Sequence, residues 1–359
     1  MSCMAHHLWQ GLAGLLIGLA GVSGVFWVGK LVRGSPPPPP LIVIDPGQTP
    51  PPKPGFAEDR MPAAVPAVDG DAALTHLKAL CAIGPRVSGS AGMTKQQELV
   101  TKLFEQHGAT VRRQEFAAAA KSRPGDTLPM VNLIASWHPD RPRRVILCSH
   151  YDTRPAAHEE ENRAEWSKPF ASANDGTSGV ALFLELARHL KDLKTPVGVD
   201  VVLFDGEEYI LDPGDRAGIR RGDDFFHGSR HFGQQYAKDK ATLKYRYEGA
   251  ILLDLFAHDG ARLAIEGYSY QFAPQLVTDV WKVAEKVGAT SFKYERGFNR
   301  AAEVQDDHLA LNQAGIPAID ILDFDYPHWH RLSDTPEKCS PKQMAEVGKV
   351  LLAWVQGLK

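Results

Sequence analysis

Four short apolar runs, each carrying an acid or an imidazole at or near its end, constrain this chain more than any other feature. They are VILCSH at 145–150, DVVLFDG at 200–206, GAILLDLFA at 249–257 and IPAIDILDF at 316–324. Their apolar residues are consecutive instead of alternating, which suits strands buried on both faces of a parallel sheet. Stretches with helical spacing lie between and after them, at 176–190, 228–238, 273–287 and 341–358, and two more at 71–81 and 94–107 come before. The alternation predicts a single globular α/β domain with a central mixed, mostly parallel β-sheet covered by helices on both faces. Segments 110–116 and 130–137 read as strands of an antiparallel edge. In open sheets of this kind ligands bind outside the carboxyl ends of the strands. His150 and Asp152, then Asp205, Glu207 and Glu208, then Asp254, all fall at such ends, so separate pieces of chain aim at one crevice.

The N-terminus is a different object. Leu8 to Val28 contains no charged residue and matches the ~20 apolar residues that cross a bilayer as a helix. A transmembrane helix is therefore expected ahead of the domain, with residues 1–33 acting as membrane anchor or signal segment and meeting the lipid bilayer. Lys30 and Arg33 follow the segment, a placement that the positive-inside tendency alone would keep in the cytoplasm. Its Gly/Ala texture suits a signal-type leader, and the lack of an A-x-A site suits an uncleaved anchor. The expectation is a single anchoring helix with the catalytic domain exported, periplasmic or extracellular. Residues 34–68 include a proline run that favours polyproline II and cannot pack a core, so they read as a linker. The catalytic domain is expected over 69–359.

Lys and Arg number 40 against 43 Asp and Glu, a formal charge of −3. Such a balance gathers no polyanion, and no nucleic-acid partner is expected. Neither G-x-G-x-x-G nor a P-loop is present, so no nucleotide is expected either. Cys3, Cys81, Cys148 and Cys339 are far apart and form no C-x-x-C pair; this excludes a Cys-rich zinc module and leaves room for one disulfide.

The chemistry gathers in SHYDTRP (149–155), SANDG (172–176), FDGEEY (204–209), LLDLF (252–256), QDDH (305–308) and HWHRLSDT (328–335). Convergent carboxylates repel one another unless a cation or a shared proton offsets them. A bound metal is the economical solution, and carboxylate with imidazole and no thiolate fits zinc in an open catalytic site. Asp254 interrupts an apolar strand, and a buried carboxylate there requires a partner.

These segments resemble the co-catalytic zinc aminopeptidase superfamily, and more closely its glutaminyl-peptide cyclotransferase branch, over roughly Ala72 to Lys359. IGPRVSGSAG, FHGSRHFG and Trp329 beside the last histidine support the narrower branch. The resemblance implies one zinc on Asp175, Glu208 and His330, with Glu207 as general acid/base. It also implies Asp254 and Asp306 as a hydrogen-bonded catalytic pair, and Trp329 and Tyr326 at the substrate pocket. The substrate implied is the N-terminal glutamine of a peptide or protein, cyclised to pyroglutamate with loss of ammonia. Two departures bear on the pocket rim: no Trp follows DGEE, where a polar insertion at 212–224 stands, and no Cys lies near Val180. His150 and Asp152 are retained, so the ligand set of a dinuclear zinc aminopeptidase, which hydrolyses N-terminal residues, is also spelled out.

Overall fold

The computed structural model of the chain describes residues 64–119, 125, 127–208, 225–296 and 303–359. The expected anchor, most of the linker and the 212–224 insertion lie outside these residues. Among the described residues no helix is long and apolar enough to cross a membrane.

Eight strands and eight α-helices are described. The strands are β1 (Thr110–Ala119), β2 (Thr127–Trp137), β3 (Arg143–His150), β4 (Gly198–Phe204), β5 (Arg246–Leu253), β6 (Leu263–Ile265), β7 (Phe292–Arg296) and β8 (Ala318–Ile321). The helices are α1 (Gly70–Cys81), α2 (Ala91–Gln106), α3 (Ser178–Leu190), α4 (His227–Asp239), α5 (Gly267–Phe272), α6 (Pro274–Val287), α7 (Asp307–Gln313) and α8 (Pro341–Gly357). Six strands form one sheet in the order β1-β2-β4-β3-β5-β8. Strands β4, β3, β5 and β8 are parallel, and β1 and β2 add the antiparallel edge read from the sequence. β6 and β7 pair in a small separate sheet, which the sequence reading did not include.

Side chains of the four parallel strands leave the sheet on alternate faces with period two. Leu147, Val201, Leu203, Ile251 and Ile319 pack with Leu77 of α1, Leu182 of α3, Trp281 of α6 and Trp354 of α8. Ile146, Cys148, Val202, Phe204 and Leu252 pack on the opposite face with Phe232 of α4 and Leu311 of α7. Burial on both faces is why these runs are uninterrupted in apolar character. Helix starts are fixed locally, Asp69, Ser90 and Ser340 each accepting from a backbone N–H in the first turn of α1, α2 and α8. Cys81, Cys148 and Cys339 are free thiols, so the disulfide allowed by the count does not join any two of them.

Because β3, β4, β5 and β8 run the same way, their carboxyl ends open on one side of the sheet. His150 ends β3, Asp205 to Glu208 follow β4, and Asp254 follows β5.

Candidate active site

The SANDG segment forms a wide helical turn over Ala173–Thr177, interrupted by extended backbone at Asp175 (φ −81°, ψ 103°) and left-handed backbone at Gly176 (φ 71°). A side chain at Gly176 would collide with the His150 ring, since an added Cβ would sit 2.4 Å from Cε1. Glycine is therefore required twice over, for its φ and for the close approach. The turn is pinned from two directions: Asp334 accepts from Asn174 N (3.0 Å) and Asp175 N (3.3 Å), and Asn174 Oδ1 accepts from Ala257 N at 2.8 Å. Tyr326 OH donates to the same Asp334 at 2.8 Å.

The DGEE turn is held in the same fashion. Asp152 accepts from Glu207 N through one oxygen and from Glu208 N through the other, both at 3.1 Å. One buried carboxylate thus fixes the backbone of both acids.

These supports bring three distant side chains together. Asp175, Glu208 and His330 each offer one ligand atom, all within 4.8 Å of one another. His330 Nε2 lies 3.4 Å from Asp175 Oδ2 and contacts Glu208 Oε1. Bonds of about 2.0–2.1 Å in a tetrahedron separate ligand atoms by about 3.3 Å, so the first spacing fits a zinc ion. Both Asp175 oxygens are buried without a well-formed hydrogen bond, although His150 Nε2 is 3.2 Å from Oδ1. A carboxylate left so in a buried site fits a cation. Burial and Arg154 hold His330 down to about 4, against the pull of Glu208, so it is neutral at pH 7 with a free lone pair. Burial pushes Glu208 upward, but Arg154 and His330 outweigh it and keep its carboxyl below the usual range. The residues therefore fit a divalent metal of the zinc type.

Asp175 also belongs to a second group, with His150 and Asp254, whose ligand atoms are equally close. His150 Nε2 is 3.4 Å from Asp254 Oδ1, and Gly176 N donates to that oxygen at 3.2 Å.

Glu207 directly precedes Glu208 in the chain, and its Oε2 lies 3.9 Å from His150 Nδ1. Burial, then the neighbouring Glu208, raises its carboxyl well above the ordinary value, the direction a group needs in order to exchange a proton near neutral pH. Asp306 caps α7, accepting from Asp307 N, and contacts Asp320, while Asp254 Oδ1 accepts from Gly176 N. Burial, then Asp307 and Asp254, pushes the Asp306 carboxyl up, so the two acids remain close enough to repel each other.

Trp329 is half-buried and stacks on His330 with centroids 4.0 Å apart, while Phe324 meets its ring edge-on at 4.9 Å. Both line a cavity of about 390 Å³ with Glu159, Asp325, Tyr326 and Arg331. Tyr326 is buried in its wall, with its hydroxyl engaged by Asp334.

Sequence reasoning assigned no role to Asp334, Arg154 or His158. Asp334 and Arg154 stand inside quoted motifs, SDT and YDTR, yet only three-dimensional proximity shows what they touch. His158 lies in a loop whose sequence carries no such signal.

A model of peptidase family M28 matches residues 132–355. The glutaminyl-peptide cyclotransferase of Bos taurus is 22% identical over 260 residues, covering 62% of this chain and 65% of that protein. The chain thus spans just under two thirds of that curated relative. The crystal structure of Fimbriiglobus ruber glutaminyl cyclase is 60% identical, with a TM-score of 0.80, and the match covers 83% of this chain and 98% of that one. Bacteroides thetaiotaomicron glutaminyl cyclase, solved bound to N-acetylhistamine, is 30% identical with a TM-score of 0.72, covering 82% and 100%.

Proposed function

The chain belongs to peptidase family M28 and to its glutaminyl cyclase branch, and from that premise we propose that it converts the N-terminal glutamine of peptides to pyroglutamate with release of ammonia. The observation that carries this is the buried group Asp175, Glu208 and His330, with Glu207, whose carboxyl is raised above its ordinary value by burial, next to Glu208 in the chain. Asp175, Glu208 and His330 would hold zinc, which supplies a Lewis acid that polarises the substrate's side-chain amide carbonyl.

The protein's own residues carry the rest. Glu207 takes a proton from the substrate's α-amine as that nitrogen attacks its own γ-carbonyl, and returns a proton to the departing ammonia. No water is consumed. The nucleophile is tethered within the substrate, so the site gains chiefly by holding a folded conformer. Trp329 and Phe324 supply an apolar wall for that conformer and keep solvent from the reacting atoms. Burial, then the neighbouring acids, raises the Asp306 carboxyl, which eases the repulsion among the adjacent carboxylates.

A specific observation favours a second reading. The group His150, Asp175 and Asp254 could hold another metal, and a two-metal site with Glu207 activating water would hydrolyse the first peptide bond. The test is a Gln-initiated and a Leu-initiated peptide followed by mass spectrometry. Loss of ammonia from the first with the second intact is expected; release of free leucine would overturn the assignment in favour of aminopeptidase action. Residues 1–33 are proposed to anchor the domain in a bilayer as a single helix, with the domain exported, on the strength of the uncharged stretch Leu8 to Val28.

A further inference from the structure

The loop after β3 carries a buried arginine, Arg154, whose side chain is only 4% exposed. Its Nη1 donates to Glu208 Oε2, and its Nε donates to His158 Nδ1 at 2.9 Å. The guanidinium also lies 5.5 Å from the Phe225 ring centroid. Glu208 therefore divides its two oxygens: Oε2 goes to the guanidinium, while Oε1 faces His330 Nε2 inside the ligand group.

That division has a chemical consequence. A carboxylate can bind a zinc ion through one oxygen or through both, and the second mode takes up the position that an open catalytic site leaves for substrate. We propose that Arg154 is a positioning residue that holds Glu208 as a one-oxygen metal ligand and so preserves the free coordination position for the substrate's amide oxygen. The inference rests on the metal-dependent cyclotransferase assignment and deepens it.

Arginine suits this task better than lysine would. Its planar fork stays charged and presents donors in fixed directions, so one side chain serves Glu208 and His158 at once. His158 accepts at Nδ1, which places its proton on Nε2, and its ring lies 4.7 Å from that of His330. It engages the guanidinium at a different nitrogen from the one that meets Glu208. A lysine could reach Glu208 with its charge but could not keep both bonds in one geometry. Partners of this kind, one bond removed from a metal, change affinity or activity by about 10–100-fold when lost.

The test uses the full chain loaded with cobalt(II), whose visible absorption is intense in four-coordinate sites and weak in five- or six-coordinate ones. Wild type is expected to show the intense band. Arg154→Met should show the weaker band as Glu208 closes onto the metal with both oxygens, and its kcat on a Gln-initiated peptide should fall about 10–100-fold with KM changed much less. Arg154→Lys should recover part of both signals. Should Arg154→Met fail to fold, Arg154→Lys and His158→Phe carry the test, each expected to move the spectrum part of the way. An unaltered four-coordinate spectrum in the folded variants, with thermal stability alone reduced, would overturn the proposal by making Arg154 merely structural. Those failures are distinct from failure of the assignment, in which wild type itself would take up no metal or release no ammonia.

Discussion

Replacing Gly176 by alanine tests the packing on which the site depends. The added Cβ would lie 2.4, 2.7 and 2.8 Å from three atoms of the His150 ring, at a backbone φ of +71°. The ring cannot swing aside, because it is 2% exposed and sits between Asp152, Asp175, Glu207 and Asp254. Left-handed backbone at a non-glycine residue costs about 1–3 kcal/mol, and forcing an extra methyl into a packed interior costs about 1–3 kcal/mol more. Gly260→Ala separates these contributions, since it shares the left-handed conformation (φ +77°) but would meet nothing within 4 Å. Urea unfolding of the two variants and wild type should therefore show Gly176→Ala losing about 1–3 kcal/mol more than Gly260→Ala, together with weaker metal binding through the displaced turn. Equal losses for the two variants would refute the steric argument and, with it, the account of why NDG is spelled with glycine.

The proton-transfer role predicts that Glu207→Gln keeps metal yet loses about 10²–10⁴-fold in kcat, the range for a general acid/base, checked by steady-state kinetics beside metal analysis. A pH dependence follows from Asp205, which accepts from Ser88 Oγ and Val131 N and is pushed by burial, then by Asp152, up to about 7 from 3.8. The folded protein holds this proton where the unfolded chain has released it, so stability is fully present below about 4 and declines as pH rises toward about 7. Asp205→Asn, whose amide can keep both partners, should flatten that decline in denaturation curves taken across the window; parallel curves would count against the protonated state. Tyr326→Phe removes one hydrogen bond to Asp334 and should cost about 1 kcal/mol with a modest loss of metal affinity by chelator competition, whereas unchanged affinity would mean that Asp334 holds the Asp175 turn without help.

How much of this was legible in the sequence follows from what each residue depends on. The four parallel strands were legible because burial on both faces writes itself as an uninterrupted apolar run. Taken singly, an acid before a helix, an acid in a loop and a lone histidine read as ordinary capping or solvated groups; Asp175, Glu208 and His330 were legible only through the resemblance of SANDG, DGEE and HWH to the cyclotransferase motifs. Their supports were not. Asp152 and Asp334 act by accepting backbone N–H groups of segments 55 to 160 residues away, and no local pattern distinguishes such an acid from one on a solvated loop. Asp306 was named only through the resemblance, and no local pattern announced that it also caps the start of α7, where backbone donors would otherwise be unsatisfied. The β6–β7 pair escaped because three- and five-residue strands are too short to show a period.

Anomalous diffraction at the zinc edge, from crystals grown with limiting zinc, tests the central claim most directly. The account predicts a single peak bounded by Asp175, Glu208 and His330, with Glu208 bound through Oε1 and its other oxygen still on Arg154. A peak of equal height between His150 and Asp254, or none at the His330 side, would contradict it.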